Sequence, residues 1–144
     1  KLNYNVELGR AAHINGNVIF GKNIKIWRIV HLSTFPNQTL TIEDNVKILW
    51  GDIIKGNIVI GENSTIESSV NMTGSDEFPL RIGKNVLIKG SSYLFGSVVE
   101  DDVTIEHSVL IKKKIKAEND ATGKIKPVRF YIPETEGKDL LSDI

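Results

Sequence analysis

The chain has 144 residues, 18 basic against 18 acidic side chains, and no cysteine. That length is one domain, and zero formal charge argues against nucleic acid or an anionic membrane as partner, since either selects a net basic surface. Without cysteine there are no disulfides, thiolate nucleophiles or Cys-ligated metals; with no apolar run of membrane-spanning length and no signal peptide visible, a cytoplasmic location is expected. A chain that opens on Lys1 rather than Met is expected to have lost an N-terminal piece.

An apolar residue recurs every six positions: Leu2, Leu8, Ile14, Phe20, Ile26, Leu32, then Ile42 through Ile48, Ile54, Ile60 and Ile66 to Met72. The ladder resumes at Ile82, Ile88 and Leu94, shortens by one residue to Val99, and runs on through Ile105, Ile111 and Ala117. A second column of small or β-branched residues includes Val18, Ile24, Val30, Val46, Ser64, Val70, Val98 and Val109. Before that column stand turn residues (Asn5, Asn17, Asn23, Asn45, Gly51, Asn57, Asn63, Asn85, Asp102, Asp120), types that tolerate the left-handed backbone. A period of six fits neither a helix nor a plain alternating strand. It fits a short strand plus a corner, three to a turn, and predicts an all-β, single-stranded left-handed parallel β-helix of about six coils over residues 1–122.

Two four-residue insertions interrupt the ladder at one corner, two coils apart, around Phe35–Gln38 and Gly74–Pro79. Insertions in repeat proteins gather on one face, often a binding face. Residues 123–144, with Pro127, Pro133 and a polar stretch from Glu134 to Asp139, read as an extended, partly mobile C-terminal tail. The ending Leu140–Ile144 is expected to make at most a helical turn.

The stretches Ile48-Leu49-Trp50-Gly51-Asp52, Ile60 to Glu67, Phe78 to Val86, and Gly96 with Val99 to Ile105 resemble gamma-class carbonic anhydrases. The resemblance spans roughly residues 14–116. It implies a homotrimer with metal sites between subunits, zinc or a similar ion being held by three histidines. Aligned without further gaps, those ligand positions are Thr73, Gly90 and Phe95, and none supplies an imidazole. The family's Arg-Gly-Asp reads Trp50-Gly51-Asp52, and its Asn, Gln and Asp on the next coil become Thr65, Glu67 and Ser68. A catalytic metal needs three protein ligands and an open position for water, so no cofactor is expected where the ligands are gone.

Three histidines remain. His13 and His31, eighteen residues apart, stack on neighbouring coils and are the candidates for a displaced metal, although a third ligand is not evident. His107 falls one coil beyond Gly90, near the vacated cleft. Glu67, Lys89 and Glu106 form an outward column of alternating charge. Asp52 falls in the inward column and needs a partner, for which Arg28 or a cation from another subunit is the expectation. Trp27, Trp50 and Phe95 point outward and suggest subunit contact. The run Lys112–Lys114 with Lys116 is a solvated edge that discourages stacking.

These observations predict a non-catalytic trimeric scaffold or binding module, its partners being copies of itself and a small ligand between subunits. Hexapeptide repeats also occur in acyltransferases, so acyl transfer with His31 or His107 as base is the alternative. A carbonic anhydrase with a displaced metal is the third reading.

Overall fold

A computed structural model of the chain describes residues 5–130, 135–136 and 138–144. Leu2 at the head of the ladder, and Pro133 and Glu134 in the tail, lie outside them. The described residues form a parallel β-solenoid of about six turns with three sheets and no α-helix, so no helix among them is long and apolar enough to cross a membrane.

Each turn contributes one short strand to each of three faces. The first face runs from Val6–Leu8 through Ile24–Ile26, Lys47–Ile48, Thr65–Ile66 and Leu87–Ile88 to Thr104–Ile105. The second runs from His13–Asn15 through His31–Ser33, Ile53–Gly56, Asn71–Gly74 and Tyr93–Phe95 to Val109–Ile111. The third runs from Val18–Phe20 through Leu40–Ile42, Ile58–Ile60, Leu80–Ile82 and Val98–Val99 to Lys113–Ile115. Equivalent residues stack in register, as Leu32 on Ile54 and Ile54 on Met72. Both inward columns meet in one apolar core, of which Ile26, Leu32, Ile48, Ile66, Val30 and Val70 are members.

The corners follow the chemistry of the left-handed backbone. Asn23, Asn45, Asn63, Asn85 and Asp102 all take positive φ. At Asn17 and Asn57 the preceding Gly16 and Gly56 take it instead, with φ of 98° and 112°. Gly56 packs so closely on the coil below that a Cβ would sit 2.0 Å from the Gly74 carbonyl oxygen. Asp120 is not a left-handed corner but closes a loop, accepting hydrogen bonds from the Thr122 and Lys124 amides.

The last two coils depart from the six-residue period. Leu110 and Ile115 are the buried ladder residues, whereas Ile111 and Ala117 are exposed. Ser97 and Ser108 fill the second inward column, and Val98 and Val109 turn outward. The steps Leu94 to Val99, Ile105 to Leu110 and Leu110 to Ile115 are five residues because the corner is one residue shorter, with Gly96, His107 and Lys112 taking positive φ. Serine is accepted inside because its hydroxyl is fully bonded. Ser97 Oγ accepts the Lys113 amide at 3.0 Å and donates to the Phe95 carbonyl at 3.0 Å.

Both insertions emerge at the corner between the second and third faces, and Gln38 Nε2 donates to Asp76 Oδ1 at 3.1 Å, joining them across the intervening coil. Beyond Ile115 the chain returns to the end of the solenoid. The Val128 amide bonds the Thr104 carbonyl, and Leu141–Asp143 pairs antiparallel with Lys113–Ile115. Val128 and Leu140 are buried there. The helical turn is Lys138–Leu140, ahead of the place expected, and the residues after it are strand. At the other end, Leu8 and Ile14 continue the inward ladder but remain 42% and 38% exposed.

Candidate functional site

The corner between the first and second faces gathers most of the residues singled out in the sequence. It is built from the turns Trp27–Val30, Leu49–Asp52, Glu67–Val70, Lys89–Ser92 and Glu106–Ser108, each crossing from one face to the next. Ser69, Ser91 and His107 take the left-handed conformation there.

His107 is exposed, and its Nδ1 lies 2.7 Å from the Gly90 carbonyl oxygen. A carbonyl only accepts, so Nδ1 carries the proton and donates it. With Nδ1 as the donor, the neutral form of the ring carries its lone pair on Nε2, the tautomer a general base requires. Beside it, Glu106 is bonded by Arg129, whose guanidinium holds that carboxyl below the usual carboxylate range, with Lys89 adding to the effect at 3.6 Å. Of the column Glu67, Lys89 and Glu106, the last two form the ion pair, and Arg129 from the returning segment is the member the repeat did not reveal. Glu67 Oε1 accepts the Gly90 amide at 3.2 Å. Ser68 and Thr65 are half-buried on the same coil.

Thr73, Gly90 and Phe95, the positions aligned with metal ligands, are not brought together within one chain. Thr73 and Phe95 are register partners at the far end of the second face, while Gly90 lies at the near corner, under His107. His13 and His31 are register partners, their rings stacked with centroids 4.7 Å apart. No group of three or more His, Cys, Asp or Glu suited to a metal ion occurs among the described residues.

Asp52 is fully buried in the second inward column. Arg28 is not its partner, since it lies over the Trp50 ring, 5.9 Å from its centroid. Asp52 Oδ1 instead accepts the Val70 amide at 2.7 Å, and Oδ2 has no hydrogen-bond partner among the described residues. Burial, with a smaller contribution from the Glu67 charge, pushes the carboxyl up to about 8. The serines of the same column explain its form. Ser64 accepts the Val86 amide and donates to the Gly83 carbonyl; Ser92 accepts the Ser108 amide and donates to the Lys89 carbonyl. Asp52 copies the accepting half of this arrangement, and as a neutral acid it also has a hydrogen to donate.

No family model and no curated protein sequence matches the chain. Among solved structures, the acetyltransferase domain of PglB from Neisseria gonorrhoeae FA1090 matches over 85% of this chain with 10% identity and a TM-score of 0.43. Perosamine N-acetyltransferase from Caulobacter crescentus, solved as a mutant with CoA and GDP-perosamine, matches over 83% with 13% identity and a TM-score of 0.30. The chain spans 57% of the length of each. Neither likeness carries a residue role to this chain. The chain is a hexapeptide-repeat β-solenoid, structurally similar to these acetyltransferases at low identity.

Proposed function

We propose that the protein is an acyl-transfer enzyme of the hexapeptide-repeat kind, with His107 as general base. The observation that carries this reading is the Nδ1 contact to the Gly90 carbonyl, which fixes the tautomer and orients the ring. In the step, Nε2 takes the proton of an acceptor hydroxyl or amine as its oxygen or nitrogen bonds to the acyl carbon of a thioester. The carbon–sulfur bond breaks, and the imidazolium returns the proton to the leaving thiolate. Incubation with acetyl-coenzyme A and a panel of hydroxyl and amine acceptors, with free thiol as readout, tests it. Thiol release at least a hundredfold slower in His107→Ala, with acetyl-coenzyme A still raising the melting temperature, supports the role. A parent protein that shows neither thermal stabilisation by acetyl-coenzyme A nor thiol release overturns it.

The second reading is a non-catalytic trimer that serves as scaffold or binding module, as expected for a gamma-class-like solenoid without its ligands. It is favoured by the outward side of the second face, where Ile53, Val109 and Ile111 are exposed and Tyr93 and Phe95 half-buried. An apolar patch of that kind on a rigid sheet marks an interaction surface. A trimeric protein silent in both acyl assays supports this second reading.

A further inference from the structure

The chain's two tryptophans stand on successive coils among the first of the described ones, where they line a groove of about 510 Å³ with Glu7, Lys25 and Arg28. The stacking register shows why the groove exists. Leu8 pairs with Ile26, and the Gly9 amide bonds the Ile26 carbonyl at 2.7 Å, so position 9 stacks on Trp27. A Cβ at Gly9 would lie 2.3 Å from the Arg28 nitrogen and 2.4 Å from the Trp27 carbonyl carbon, both backbone atoms. No side chain grows there without moving the coil. Trp27 therefore has Leu49 next to it on one side in its column and only a glycine on the other, which leaves a half-buried indole as a shelf.

The groups around that shelf have a definite charge. Lys25 and Arg28 are exposed cations, Arg10 is exposed on the turn before, and Glu7 is the lining carboxylate. Arg28 lies over the Trp50 ring, so its guanidinium is held at the groove. An indole face favours a ring with an apolar side, and a guanidinium beside an ammonium favours a carboxylate or phosphate. We propose that this groove binds a small ring compound bearing one anionic substituent. The ring lies on Trp27, the anion meets Arg28 and Lys25, and Glu7 accepts from a hydroxyl or amine on the ring. The site is independent of the acyl-transfer reading: it occupies the first three coils, and His107 lies on the sixth.

The Trp50→Phe variant leaves Trp27 as the single tryptophan reporter. Its fluorescence is titrated with benzoate, an aromatic anion, and with glucuronate and glucose 1-phosphate, saccharide anions, while neutral glucose is the control. Calorimetry on the parent chain repeats each titration with Trp50 in place. A saturable change with the aromatic or the saccharide anions, at least tenfold weaker in Arg28→Gln and absent by calorimetry in Trp27→Ala, establishes the site and identifies the ring. Circular dichroism of each variant separates loss of binding from loss of fold. Saturation by none of the anions, binding of glucose as tight as that of its anionic counterparts, or affinity unchanged in well-folded Arg28→Gln would overturn the proposal.

Discussion

Asp52 and Ile29 are two residues whose cost is measurable. An unfolded Asp titrates near 3.8 and the native one near 8, so between those values the native chain binds the extra proton. Its contribution is fully present below about 4 and is lost as pH rises through 8. About four units at about 1.4 kcal/mol each make the change on the order of 6 kcal/mol. Asp52→Asn keeps the acceptor and supplies permanent donors; its urea midpoint is expected to stay flat from pH 5 to 9 while the parent's falls. Equal slopes for both proteins would refute a neutral acid. Ile29 sits at φ 54° and is 48% exposed, so a β-branched residue carries left-handed strain with little burial in return. Ile29→Asn is expected to gain about 1 kcal/mol in urea denaturation. The inward position of Asp52 was legible from the six-residue spacing. Its protonation was not, because an orphaned Oδ2 shows only once Val70 and Arg28 are placed.

At the level of strand and corner, the period was legible as long as one apolar residue stood at each sixth position. It held at Val99, but it failed in the second column at Val98, where Ser97 is the buried residue, and in the ladder at Val109-Leu110-Ile111, where Leu110 is buried in place of Ile111. Hydropathy cannot choose among such neighbours. The choice is made by serines 97 and 108, whose hydroxyls satisfy both an amide and a carbonyl inside the solenoid. A serine directly before an apolar pair is the signal to seek in related ladders. The returning C-terminal segment carries no period at all, and its packing on the last coil rests on few residues. Leu140→Ala is expected to cost about 3 kcal/mol and to speed amide exchange in Lys113–Ile115, which Leu140 helps to cover. Exchange unchanged on that strand would mean that the closing segment adds no protection.

For the molecule as a whole, the assembly proposal rests on the apolar outer side of one face out of three. Ile111→Lys, on a residue 49% exposed, removes no core packing. The expected light-scattering mass falls from three chains to one, with the melting curve of the isolated solenoid retained. A parent protein that is already monomeric removes the basis for the trimer.

A solenoid of parallel strands is in principle a template that copies itself from either end. Here the final strand, Leu141–Asp143, runs against its neighbour, so a further parallel coil meets the wrong polarity on that edge. Fibres grown by adding parallel coils onto the Leu141–Asp143 edge are therefore not expected from this molecule.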